Sequence, residues 1–240
     1  MPKHNKSKQQ VMSPQTKLVG LSDQLQKIYS VEDLSTTCCR QCTCCRVACP
    51  QMKYSEAVNI IDHVWNTWSK PDKKDLLVNC VTYYFSDSLV KPCLLLKGDE
   101  CREYKNRPLN CRLYGLWPND MWEKRVEAFS KQTDLSRDKL PLNTQCPHVR
   151  RKNGQPLTEG KIIALFKTID RLDRQMGLSE TQTMTAWNYR TLHDWVLLKF
   201  WGEHTLVQWT NYVLAMSWEE REAILEIFYK IVDEKLNNIV

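Results

Sequence analysis

The chain has 240 residues, 42% of them hydrophobic, and a net charge of +6. That is enough apolar material for a real core and too little charge to mark a nucleic-acid binder by itself. With 7 glycines against 9 tryptophans the composition favours helix over an all-β build, and no run approaches the ~20 apolar residues that cross a bilayer.

Residues 1–16 read as a disordered basic tail carrying Lys3, Lys6 and Lys8, with no apolar segment behind it to make a secretory leader. Leu18, Leu21, Leu25 and Ile28 share one helix face. A cysteine block at 38–49 follows as irregular chain ending at Pro50. Ser55 is expected to cap a helix with Val58, Ile61, Trp65 and Trp68 on one stripe, and Pro71 to stop it. A second helix is expected over 72–85, where Cys80 falls at core spacing with Leu76, Leu77, Tyr83 and Tyr84 and reads as a buried hydrophobe.

Residues 91–118 are rich in Pro, Gly and Cys and read as loops around a site; 119–145 are polar, with a short helical stretch near 122–129. Ile162, Ile163, Leu165, Phe166, Ile169 and Leu172 mark an amphipathic helix, and 183–215 an aromatic-rich one. Ser217-Trp218-Glu219-Glu220 is a capping box opening a last helix with Ile224, Ile227, Phe228, Ile231 and Ile239 on one face. Trp187, Trp195, Trp201, Trp209 and Trp218 read mostly as core. The fold expected is mainly α: a basic tail (1–16), a cysteine-cluster metal-binding domain of irregular loops (17–155), and a helical C-terminal region packed on it (156–240).

All eleven cysteines lie at or before Cys146, and six crowd into 38–49. In the reducing cytoplasm expected for a chain with neither leader nor span, such usage means metal or redox chemistry more than disulfides. Cys39-x2-Cys42 is a chelating spacing for zinc or iron–sulfur, and Cys42-x-Cys44 a tighter one. Adjacent thiols such as Cys44-Cys45 diverge, so they suit two metals side by side, or one ligand and one bystander. Cys93, Cys101, Cys111 and Cys146 sit in Gly, Pro and polar surroundings rather than on an apolar stripe. His63, His148, His193 and His204 are scattered and read as surface, although His148 follows Cys146 closely.

These strings carry a resemblance. Cys39-x2-Cys42-x-Cys44-Cys45, then Pro92-Cys93 through Cys101-x2-Tyr104-x2-Arg107-Pro108-x2-Cys111-Arg112, then Cys146-Pro147, resemble the YkgJ-type cysteine-cluster family, a zinc- or iron-chelating domain, over about residues 38–163. The family pattern has one more residue in the first block and a Gly where this chain has Thr43; Cys38 and Cys49 fall outside it, and either could replace a ligand. The resemblance implies Cys39, Cys42, Cys44, Cys45, Cys93, Cys101, Cys111 and Cys146 as metal ligands, enough for two four-cysteine sites. Arg107 and Arg112 would then face the bound group as tuning donors or tie loop carbonyls together, and Arg40, Arg46 and Arg102 would offset thiolate charge.

One tidy CxxC with later single, widely spaced cysteines fits iron–sulfur, with one or two [4Fe–4S] clusters, better than zinc. The function expected is a metal-cluster protein in electron transfer or redox sensing with a protein partner, nucleic acid being less favoured. The alternatives are a zinc-held structural or interaction protein, and a metal-dependent enzyme resembling flagellin lysine N-methylases. No catalytic residue is assigned.

Overall fold

The computed structural model describes residues 20–31, 34, 43–146, 149, 151, 157–184 and 188–239. The expected tail and the residues Cys38, Cys39, Arg40, Cys42, His148 and Trp187 lie outside these. The described chain is mainly helical, with four two-residue strands. In order come α1 (Leu21–Ser30), α2 (Thr43–Val47), β1 (Gln51–Met52), α3 (Tyr54–Thr67), α4 (Lys70–Phe85), β2 (Leu96–Lys97), β3 (Glu100–Cys101), α5 (Leu109–Leu113) and α6 (Asn119–Thr133). A 3-10 turn (Arg137–Lys139), α7 (Glu159–Gln175), α8 (Glu180–Met184), β4 (Arg190–Thr191), α9 (Leu192–Leu214) and α10 (Trp218–Ile239) complete it.

Several local expectations shift by a turn, each for a physical reason. Ser55 does not cap α3. Its side chain is buried, and its N–H donates to Asp173 Oδ1 at 2.7 Å. The helix begins at Tyr54, and Glu56 reaches back to accept the Lys53 N–H at 3.0 Å. Pro71 stops nothing; it lies in the first turn of α4, behind an N-cap Ser69 whose Oγ accepts from the Asp72 N–H. Proline is favoured there because the first-turn N–H groups have no intrahelical acceptor. The cysteine block is partly helical, as α2, and α6 runs well past both ends of the expected stretch.

Two cores hold the helices. In the first, α3, α4, α9 and α10 bury Ile60, Leu77, Val81, Val196, Leu197 and Val232, all at 0% exposure. Each such side chain contributes roughly 1.5–3 kcal/mol through removal from water. The second joins α1, α5 and α7 through Leu25, Leu109, Leu113, Ile162 and Ile169. The first draws on residues from Met52 to Leu236, so the cysteine-rich and C-terminal segments share one core. Trp195 is buried in it, Trp201 and Trp209 pack against it half-buried, and Trp218 is exposed. On α10 the buried stripe runs Phe228, Val232, Leu236, while Ile227, expected inside, is exposed. The Ser217–Glu220 box is made in both directions, at 2.7 and 3.3 Å.

Candidate metal centre

Four short pairings gather the cysteines. The Cys93 N–H donates to Cys45 O at 2.6 Å and the Lys91 N–H to Val47 O at 3.2 Å, laying the 91–93 segment along α2. Strands β2 and β3 form a hairpin pairing Leu96 with Cys101. Its turn has positive φ at Gly98 (61°) but not at Asp99, the first-position glycine of a II′ turn. Strand β1 pairs with β4 (Gln51 with Thr191, Met52 with Arg190), which sets Cys49 beside His193 at the start of α9. Helix α5 lies against β1 and carries Cys111.

The result is a thiol row. Cys93 contacts both Cys45 and Cys49 through its thiol, and Cys49 also meets the His193 ring. These partners hold the Cys49 thiol below its ordinary range, the Cys93 hydrogen bond first, while Cys93 is pushed up by its contacts with Cys45 and Cys49 and by burial. Burial raises Cys111 and lifts Cys101 to about 11, and the Cys45 charge acts on both. Cys44 Sγ lies 4.0 Å from Cys45 Sγ. Cys44 and Cys146 both act on the Tyr114 phenol, whose pKa burial raises first. Cys80 is fully buried, as its helical spacing predicts, and sits behind Cys49.

Of the expected ligands, Cys45, Cys93, Cys101 and Cys111 are electrostatically linked, and Cys44 and Cys146 both act on Tyr114; Cys39 and Cys42 fall outside the described residues. Cys49 and His193, not among the expected ligands, belong to the same group. Nothing in the sequence marks His193, because a two-residue strand pairing brings it in. Among the described residues no three histidine, cysteine or carboxylate side chains already stand in ligand geometry around a common point.

Buried carboxylates frame the thiols. Glu56, 1% exposed, accepts from Tyr29 Oη (2.8 Å) and from the Leu109 N–H (2.6 Å) at the head of α5. Glu103, 2% exposed, accepts from Trp68 Nε1 (2.9 Å) and Asn106 Nδ2 (2.8 Å) and pairs with His63 Nδ1, while its own N–H donates to the Cys101 sulfur. Asp173 accepts from Asn188 Nδ2 at 2.6 Å, which locks α7 to the start of α3. Sequence periodicity carries no sign of Glu56 and Asp173, since polar residues in helices read as solvent-facing, nor of Glu103, which sits in a turn after β3.

The arginines divide. Arg112 donates to Arg107 O (3.0 Å) and Lys105 O (2.7 Å) and stacks on Tyr29, tying loop carbonyls together. Arg107 covers the Tyr104 ring at 4.1 Å and lowers the pKa of both Cys101 and Cys111. Its Nε is buried with no hydrogen-bond partner among the described residues. Arg102 pairs with Asp72 over the Trp68 face, and Arg46 with Asp99 at the surface.

The donor chemistry fits a thiolate-bound metal: soft sulfur ligands, an N–H aimed at sulfur and an orphaned guanidinium N–H beside two of the thiols. Neither a family model, nor a curated protein, nor a solved structure matches the chain. The resemblance to the YkgJ-type family therefore rests on its motif residues.

Proposed function

We propose that this chain is a metal-cluster protein, with an iron–sulfur cluster held by Cys45, Cys93, Cys101 and Cys111, and that it serves electron transfer or redox sensing. The observation that carries the reading is that these four thiols, from α2, the 91–93 segment, β3 and α5, form one electrostatically linked group. Long loops and buried carboxylates hold them there; burial raises Cys101 and Cys111, and contacts with Cys45 and Cys49 raise Cys93. A cation in their midst removes that penalty, because the ligand form is the thiolate. The Glu103 N–H to Cys101 and the unpartnered Arg107 Nε would donate to sulfur and raise a cluster's potential. Cys44 and Cys146, with Cys39 and Cys42 from the resemblance, are the ligands of a second site.

One observation favours a zinc reading beside it. Cys93 contacts Cys45 and Cys49, and Cys49 contacts His193; three thiolates with one imidazole are a common zinc set. Anaerobic purification separates the two. The iron–sulfur reading expects a brown protein with iron and acid-labile sulfide in equal amounts, and visible absorbance that dithionite bleaches. A colourless folded protein with stoichiometric zinc overturns it.

A further inference from the structure

Beside the thiol row opens a cleft of about 540 Å³, within the range of small-molecule sites, roughly 300–1,000 Å³. One wall is the face of α6 carrying Trp122, Val126 and Phe129, with Leu140 and Leu142 packed against it. Cys45, Cys49 and Cys111 form part of its floor. Trp117, Tyr114 and Tyr189 bring the aromatic lining to five rings. Phe129 is left 40% exposed at the rim, and Trp122 Nε1 is buried with no hydrogen-bond partner among the described residues.

The charge of the lining is one-sided. Lys91, Arg125 and His193 line it, and no aspartate or glutamate does. Lys91 and His193 lie at the floor, where Lys91 Nζ donates to Tyr83 O at 2.7 Å and His193 meets Cys49. Arg125 stands apart from them, 5.3 Å over the Trp117 ring and close to the Tyr189 hydroxyl. A floor of thiolates around a metal repels an anion, and a floor of neutral thiols offers it no charge. The guanidinium on α6 attracts one, with a planar donor fork that suits a carboxylate or sulfonate.

We propose that this cleft binds a small aromatic carboxylate or sulfonate, its anionic group on Arg125 and its ring system against the apolar face that Trp122, Phe129 and Leu142 form, pointing toward the thiols. Nothing in this depends on which metal the cysteines hold. The site would place an organic molecule against the cysteine cluster, a capacity beyond electron transfer alone.

Two probes with the same body and different charge test it on the full chain as purified: 1-anilinonaphthalene-8-sulfonate, which is anionic, and N-phenyl-1-naphthylamine, which is neutral. The expected result is saturable one-to-one binding with the sulfonate at least tenfold tighter. Arg125→Leu is expected to erase that difference while leaving the neutral probe's affinity in place. Leu142 sits at φ 62°, a backbone region that Asp and Asn accept better than Leu. Leu142→Asp therefore folds without new strain and is expected to weaken the sulfonate at least tenfold, against a smaller loss for Leu142→Asn. Equal affinities for the two probes overturn the proposal. So does sulfonate binding that survives both Arg125→Leu and Leu142→Asp in a protein of unchanged circular dichroism, which would put the dye on the exposed Leu214–Trp218 face instead.

Discussion

Glu56 accepts the amide proton of Leu109 at 2.6 Å. The bond fixes the head of α5, and so the place of Cys111, to the first turn of α3, with no metal involved. The same carboxylate takes the Tyr29 hydroxyl from α1 and the Lys53 N–H, so one buried anion closes three backbone segments around the thiols. Replacing it is the most direct way to loosen the site without touching a cysteine.

Glu56→Ala is expected to cost about 3–5 kcal/mol, since it strands three donors in the core at roughly 1–3 kcal/mol each, less what relaxation recovers. Glu56→Gln should cost less, about 1–3 kcal/mol, because its carbonyl can still accept from Leu109 and Tyr29 while its NH2 faces the Lys53 N–H. Burial raises the Glu56 carboxyl above its ordinary 4.5, against the opposing Leu109, Lys53 and Tyr29 hydrogen bonds. A raised folded-state value means that the stability linked to the proton is fully present below 4.5 and is lost as pH rises through the folded value. The stability gap between wild type and Glu56→Gln should therefore narrow as pH rises above 4.5. Urea unfolding across that range measures it, and a widening gap would contradict the sign.

Gly115→Ala tests the seating of Cys146. Gly115 has φ 89°, and a Cβ there would lie 2.8 Å from Val149 Cβ and 3.0 Å from Cys146 O. Both strain and collision oppose the substitution, at about 1–3 kcal/mol for the conformation alone. The expected outcome is a lower Tm together with a fall in metal per chain. Loss of stability at unchanged metal content would remove Cys146 from the ligand set.

How far the site could be read from the sequence depended on which residues were local. Cys80 was legible as core because α4 repeats with helical period, and Ser217 with Glu220 because a capping box spans four residues. Pro71 was ambiguous: a proline ends one helix or begins another, and Ser69 with Asp72 decided for the second. The α10 stripe was read in part: Phe228 is buried and Ile224 and Ile231 pack against the core, but Ile227 is exposed, and packing against α4 buries Val232 and Leu236. Cys49 was legible only as a replacement ligand, and His193 was out of reach, since the β1–β4 pairing that joins them is two residues long and leaves no periodic trace. Glu56, Glu103 and Asp173 were hidden for another reason: a carboxylate is buried only when donors await it, and those donors come from distant segments.

Cysteine variants should separate ligand from neighbour. Cys80→Ala removes one buried sulfur behind Cys49 and is expected to cost on the order of 1 kcal/mol with metal retained in full. Cys111→Ser should leave helix content largely intact under native conditions and abolish cluster absorbance. Metal analysis and circular dichroism on the two proteins check both, and metal loss in Cys80→Ala alone would invert the assignment.

Metal retention should also depend on pH in a direction set by the thiols. Burial lifts Cys101 to about 11 and raises Cys111 above the ordinary 9.0, while Cys93 is raised first by its hydrogen bonds to Cys45 and Cys49. Without metal at neutral pH these three carry protons, so each binding event displaces them and affinity climbs with pH. Acid should strip the metal progressively, with several protons taken up per chain. Cys49, held low by Cys93 and His193, carries no such proton near neutrality and is expected to add little to that count. Titrating metal into metal-free protein in weakly buffered solution reads the protons released directly. A count near zero at neutral pH would mean that the thiols are already ionised, and that His193 and Arg107 set their charge more than burial does.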